Sequence, residues 1–292
     1  MNFQTELLQI VKDVEPILEE YLPPGLPGSA ADVGRYAVLD AGKRLRVFLT
    51  VKIAELFGVS YESAIRAGAV IEIVHAFSLV HDDLPCIDND ELRRGKPSAW
   101  AKFGERNAVL GGDYLLNIAY KILAEDERIS PDVAVRLKLA GALADATDGM
   151  ILGEWMDCEA ESGRFNTIAE VEKIQTLKTG KIFMACANFG MILGNADNEA
   201  RAAIEKFIAA MGLCFQITDD ILDCTSTAEQ LGKTPGKDRT ANKATYISLS
   251  GLENARAKVL ELAADAKSAL NIFGERAEIL SAFMDYMVKR NS

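Results

Sequence analysis

The chain has 292 residues, 49% of them hydrophobic, with 32 basic against 43 acidic side chains and a net charge of −11. That is apolar material for a sizeable core, and the acidic excess argues against a general binder of nucleic acid or anionic membrane, which would carry basic excess. Five cysteines, an odd number with no C-x-x-C pair, point away from a disulfide framework or a zinc site.

Proline punctuates the chain. Pro23, Pro24 and Pro27 crowd one linker, LPPGLPGS, and none falls between Pro27 and Pro85 or between Pro131 and Pro235. The proline-free stretches are rich in Ala, Leu, Ile, Glu and Lys and favour helix. No period-2 run with a hairpin signal stands out. The expected fold is all-α, one domain over residues 1–292, with helices near 3–22, 29–57, 61–84, 105–124, 131–160, 167–194, 198–223 and 251–290, the last containing more than one helix. VIEIVHAFSLVHDD and MGLCFQITDDILD are apolar on more than one face, as helices inside a large bundle are. The start, MNFQTELLQIVKD, lacks the basic and apolar regions of a secretory leader, and the run FMACANFGMILG is too short to span a bilayer. The expectation is a cytoplasmic protein with no membrane span.

The chemistry-bearing residues come in chain order. AGKRLR brings Lys43, Arg44 and Arg46 together without the frame of a phosphate-binding P-loop. LVHDDLPCIDNDELRRGK then sets Asp82, Asp83, Asp88, Asp90 and Glu91 beside Arg93, Arg94 and Lys96. Asp82 and Asp88 are six residues apart and would lie roughly 240° apart on a continuous helix. Pro85 cannot continue that helix undisturbed, so a turn after Leu84 can bring Asp88 back towards Asp82. His75 lies seven residues before Asp82, on the same helical face. LKTGK supplies Lys178 and Lys181. In QITDDILD, Gln216, Asp219, Asp220 and Asp223 stand at i, i+3, i+4 and i+7 and share one face. Three like charges on an otherwise apolar helix are costly to bury unless a hard cation takes them up. LGKTPGKDRTANK adds Lys233, Lys237, Arg239 and Lys243. Two carboxylate clusters with ordered lysines and arginines point to a polyphosphate held by metal on one side and by basic side chains on the other.

In the order GKRLR, HDDLPCIDNDELRRG, LKTG, FQITDDILD, LGKTPGKD and KATY, the sequence resembles the trans-prenyltransferases, the isoprenyl diphosphate synthases, over nearly its whole length. The resemblance is nearest to the bacterial farnesyl diphosphate synthase type. It implies a bundle of long helices around a deep central cavity, a homodimer, and three Mg²⁺ ions, with Mn²⁺ as a substitute. By the family's motifs Asp82, Asp83, Asp88, Asp219, Asp220 and Asp223 hold the metals. Arg93, Lys178, Lys233 and Lys243 hold the allylic diphosphate, and Gly42, Lys43, Arg46, His75 and Arg94 the isopentenyl diphosphate. Lys178, Thr179 and Gln216 lie near the reacting carbons. The implied reaction ionises an allylic diphosphate and joins it to isopentenyl diphosphate, with dimethylallyl and geranyl diphosphates as starters. Phe77 and Ser78, five and four places before Asp82, set product length; the aromatic and the two-residue insertion in the motif resemble the C15 type, with C20 and C10 as alternatives. A non-catalytic subunit would lack aspartates that are present here, and a terpene cyclase would lack the GKRLR pocket. One departure is visible: LGEWMD places Glu154 and Trp155 where the family pattern has GGQ-x-x-D.

Overall fold

The computed structural model describes residues 2–39, 42–225 and 244–289. Lys233 and Lys243 lie outside the described residues. The fold is all-α, as expected, and its contacts gather into two compact units: Met1–Ala144 with Asn188–Asn195, and Asp145–Ala187 with Ala196–Ser292.

In the first unit, α1 (Phe3–Tyr21) starts at Asn2, whose side chain accepts from the Gln4 amide, and buries Phe3, Ile10, Val14 and Leu18. Helices α2 (Ala30–Val38) and α3 (Leu45–Leu56) stand where one helix over 29–57 was expected. The break has a physical cause. Gly42 has φ +82° and Arg44 φ +51°, and left-handed residues cannot sit inside a right-handed helix. Arg44 is held in that conformation by Glu15 at 2.7 Å, Glu72 at 2.9 Å and the Val38 carbonyl at 2.6 Å. It is therefore a buried tie among α1, α2 and α4 rather than a free cation.

Helix α4 (Tyr61–Asp82) is the core of this unit, buried on several faces and packed against α1, α2, α3 and α6. It is long and apolar enough to cross a membrane, which the sequence reading did not register, yet 83% of that stretch is buried within the protein. A lipid-facing helix would instead leave its apolar surface exposed. After α4 comes an unexpected two-residue hairpin, β1 (Leu92–Arg93) paired antiparallel with β2 (Lys96–Pro97). Its turn residues Arg94 (φ 54°) and Gly95 (φ 75°) are both left-handed, as a type I′ turn requires. Two-residue strands are too short to leave a period-2 signal. The short α5 (Ala99–Phe103) leads into α6 (Glu105–Glu125), whose buried stripe is Ala108, Gly111, Gly112, Leu115, Ala119 and Ile122. A Cβ on Gly112 would stand 2.1 Å from Nε2 of His81, so a larger residue there would have to displace the His81 ring.

Helix α7 (Val133–Ala160) continues into the second unit. There α8 (Ile168–Gln175) opens with a reciprocal cap between Thr167 and Glu170. It passes through a π turn (Thr176–Gly180) into α9 (Lys181–Leu193), where 167–194 was expected to be one regular helix. In the π turn the Lys181 amide reaches back five residues to the Thr176 carbonyl. Helix α10 (Asn198–Thr225) buries Ile204, Phe207, Ile208, Met211 and Cys214 and packs against the elements that follow it. Those are α11 (Tyr246–Ser250), α12 (Leu252–Ala269), a 3₁₀ segment (Leu270–Ala277) and α13 (Glu278–Lys289). The expected division of 251–290 occurs at Gly274, whose φ of 56° and ψ of −138° no helix accommodates.

Candidate active site

The end of α4 shows how a six-residue aspartate spacing closes. The Asp88 amide donates to the Asp82 carbonyl at 2.8 Å, the Asn89 amide to Leu84 at 3.0 Å and the Asp90 amide to Asp83 at 3.1 Å. The chain thus turns back on the helix end after Leu84. Asp83 is 2% exposed, and its carboxylate takes hydrogen bonds from Nε of Arg93 at 3.0 and 3.2 Å and a further one from Nη2. Burial opposes the Arg93 charge, but the Asp83 hydrogen bond and charge, with Asp82 and Asp88 behind, raise its pKa above the ordinary arginine value. A predicted metal ligand and a predicted phosphate contact are thus locked together. Asp90, which the sequence left without a role, stands 3.6 Å from Arg93, and its carbonyl accepts from the Trp100 indole at 2.9 Å.

Beside this loop is a cavity of about 210 Å³ lined by Tyr36, Leu39, Gly42, Ala76, Leu79, Asp83, Arg93, Arg94 and Lys96 among others. The Arg94 guanidinium lies against Gly42, where a Cβ would come within 2.8 Å of Cζ. Burial, and then the repulsion of Arg44, Arg46 and Arg93 against the pull of Glu72, lower the pKa of Arg94. His75 is pushed well below the usual histidine range by burial and by Arg46, Arg94, Arg93 and Arg44. It is a neutral imidazole at neutral pH, and a group of cations this close favours an anion. Gly42 and Arg94 line the cavity and Arg46 and His75 lie within the field of Arg94, whereas Lys43 is exposed and outside the lining. Sequence reasoning missed Tyr36, whose hydroxyl donates to Pro97 at 2.7 Å beneath the Lys102 ammonium, 3.7 Å from the ring.

In the second unit, Gln216, Asp219, Asp220 and Asp223 line one cavity of about 240 Å³ together with Asp157, Lys178, Gln175 and Thr245. The one-face arrangement of the second acidic motif is therefore present. Lys178 projects from the π turn, with Nζ 2.6 Å from Glu154 Oε2 and 2.7 Å from Asp157 Oδ2. A Cβ on Gly153 would stand 2.2 Å from the Lys178 backbone nitrogen, so α7 presses directly on that turn. Gln175 was missed in the sequence. Its amide donates to Asp220 Oδ2 at 3.3 Å, and the Tyr246 backbone amide donates to the same oxygen at 3.1 Å. The Oε1 of Gln175 is buried without a hydrogen-bond partner among the described residues. Only contact geometry finds such a residue, since a lone glutamine on a helix carries no motif. Thr179 sits half-buried in the π turn, outside the cavity lining.

Among the described residues no three acidic, histidine or cysteine side chains converge as a ready-made metal cage. The donors are all carboxylate oxygens, Asp82 at the end of α4 with Asp88 in the turn after it, and Asp219, Asp220 and Asp223 on one helical face. That chemistry fits a hard divalent cation which completes its shell with substrate oxygens and water. Phe77 is buried and meets His81 edge-on at 5.0 Å. Ser78, one helical step from the Asp82 line, donates to the His75 carbonyl at 3.0 Å.

Comparison with known proteins gives one consistent result. Residues 29–280 match the family model described as polyprenyl synthetase. The chain is 36% identical over 300 residues to farnesyl diphosphate synthase of Escherichia coli strain K12, covering all of both chains. It is 37% identical over 293 residues to heterodimeric geranylgeranyl pyrophosphate synthase large subunit 2 of Arabidopsis thaliana, covering 99% of this chain and 78% of that one. A crystal structure of an FPP/GFPP synthase from Zymomonas mobilis superimposes with a TM-score of 0.87 at 37% identity, covering 98% of each chain.

Proposed function

Because the chain belongs to the polyprenyl synthetase family and is a prenyltransferase, we propose that it condenses isopentenyl diphosphate head-to-tail with dimethylallyl and then geranyl diphosphate to form farnesyl diphosphate. The carrying observation is the cavity in which the Asp219–Asp220–Asp223 face and Lys178 meet. Oxygen donors and an ammonium there suit a metal-bound diphosphate. A divalent metal, Mg²⁺ with three ions as the proposed number and Mn²⁺ as substitute, would be held by Asp82, Asp83, Asp88, Asp219, Asp220 and Asp223, and would offset charge on the leaving diphosphate.

The chain's own residues do the rest. Lys178, Arg93, Lys233 and Lys243 hold the allylic diphosphate as its C1–O bond ionises. The amide of Gln216, in the lining of that cavity, and the hydroxyl of Thr179, in the π turn outside that lining, are the proposed sources of dipoles for the allylic cation. Gly42, Lys43, Arg46, Arg94 and the neutral His75 hold isopentenyl diphosphate, whose double bond attacks C1. His75 serves as a hydrogen-bonding group rather than as a charge. The proton lost from the new chain passes to the released diphosphate, and no side-chain nucleophile is needed. The site must exclude water, which would otherwise quench the cation. Phe77 and Ser78 limit the growing chain at C15.

We read residues 1–292 as one functional domain acting in the cytoplasm as a homodimer. Exposed Val109, Leu110, Val133 and Leu137 offer apolar surface to a second copy. The test incubates the full chain with Mg²⁺, isopentenyl diphosphate and each of the C5, C10 and C15 allylic diphosphates, with products identified by mass. Farnesyl diphosphate from the first two and no extension of the third is expected. A C20 or C10 end product overturns the chain-length assignment, and no product from any starter overturns the enzyme reading.

A further inference from the structure

We infer that Glu154 is a positioning residue that holds the Lys178 ammonium from outside the cavity and tempers its attraction for the allylic diphosphate; this rests on Lys178 being a diphosphate contact. Lys178 Nζ stands 2.6 Å from Glu154 and 2.7 Å from Asp157. The two carboxylates are three residues apart on α7 and so share a face. Asp157 lines the cavity with Lys178, and Glu154 is not part of that lining. Glu154 therefore acts through the lysine.

The side chains of Glu154, Asp157 and Lys178 are 14%, 21% and 26% exposed, so their mutual attraction is less screened than that of a surface pair. The backbone fixes the geometry. Gly153 packs directly under the Lys178 amide, which leaves the π turn no room to slide along α7. A neutral amide oxygen in the place of the Glu154 carboxylate could accept the same hydrogen bond from Nζ, so what the carboxylate adds is the charge and not the contact. One ammonium set between two carboxylates must be shared with an arriving diphosphate. Binding is weakened, and release of the product diphosphate is eased by the same amount.

The experiment titrates inorganic pyrophosphate calorimetrically into the full chain at fixed Mg²⁺, using Glu154→Gln and, as a second way of removing the charge, Glu154→Ala. Asp157 still holds Nζ in both variants. Each should bind pyrophosphate about fivefold more tightly, the effect of removing one charge from a partly buried pair. In steady state the KM for the allylic substrate should fall while that for isopentenyl diphosphate stays, a split that a loosened helix would not produce. Unchanged or weaker pyrophosphate binding in both variants overturns the inference. A Lys178→Ala variant that binds pyrophosphate as tightly as the native chain overturns instead the reading of Lys178 on which it rests.

Discussion

Replacing Arg44 by Met should destabilise the protein by about 4 kcal/mol, the middle of the range for breaking a buried ion pair from one side. The Arg44 side chain is 1% exposed and Glu72 4%. Without the guanidinium, Glu72 is left as a buried carboxylate whose Oε2 already has no hydrogen-bond partner among the described residues, and the Val38 carbonyl loses its 2.6 Å donor. Glu15, at 30% exposure, can turn to solvent and adds little. The double variant Arg44→Met, Glu72→Leu removes both charges and should recover most of the loss, because the penalty lies in the orphaned charge rather than in the absence of the pair. Urea unfolding followed by circular dichroism measures both. The KM for isopentenyl diphosphate should rise in the single variant, since Arg44 pins the loop that carries Gly42 and Lys43 and the start of α3, which carries Arg46. A single-variant loss under about 1 kcal/mol, or a double variant no better than the single, would refute the reasoning.

Asp219→Ala removes a carboxylate from the metal-suited face and should cut turnover by roughly a hundredfold or more, while circular dichroism shows native helix content; near-native turnover would remove Asp219 from the site. Phe77→Ala should shift the product spectrum towards longer chains by mass, and an unchanged C15 product would leave Phe77 as core packing against His81. Isopentenyl diphosphate should bind by calorimetry in the presence of a chelator, whereas an unreactive allylic diphosphate analogue should require Mg²⁺; equal metal dependence would contradict the assignment of Gly42, Lys43, Arg46, His75 and Arg94 to isopentenyl diphosphate. Asp126 gives a pH signature. Burial opposes its charge, but hydrogen bonds from Arg128 and Tyr21 bring its pKa from 3.8 down to about 2. A depressed carboxylate contributes stability above its unfolded pKa and loses it as pH falls through the folded one. Asp126→Asn should therefore cost about 2 kcal/mol at neutral pH, and the gap between variant and native chain should close between pH ~4 and ~2. A gap independent of pH would show that the ion pair is not its source.

The long helices were legible because they rest on propensity and on proline punctuation, both local properties. The second acidic motif was legible because helical spacing alone puts Gln216, Asp219, Asp220 and Asp223 on one face, and the cavity lining matches that face. What escaped depends on backbone states that residue type does not announce. Arg44 is a good helix former held left-handed by Glu15, Glu72 and Val38, so the α2–α3 break is tertiary. The hairpin turns on Arg94 at positive φ, where asparagine would have been a warning. The π turn lies inside a sequence that reads as uninterrupted helix. Gln175 and Tyr36 are found only through contacts, because each acts by orienting a neighbour, and Glu154, visible in the sequence as a departure, gains its partner Lys178 only in the structure.

A net charge of −11 is compatible with diphosphate binding because charge acts over roughly a Debye length, about 8 Å at physiological ionic strength. The two cavities use that range in opposite ways. Around Arg94 burial and neighbouring arginines already penalise the cation, a cost that an incoming anion relieves without help. Around Lys178 the carboxylates of Asp157, Asp219, Asp220 and Asp223 line the same wall, so a bare diphosphate would meet repulsion and only a metal-bearing one would be welcome. The division suits the proposed chemistry. Isopentenyl diphosphate must keep its C–O bond, and cations that merely hold the headgroup suffice. The allylic partner must break its C–O bond, and a site that admits the diphosphate only with its charge offset couples binding to ionisation. Glu154 adds to this demand, because its hold on Lys178 lowers the affinity of the second cavity for any diphosphate and leaves more of the attraction to the metal.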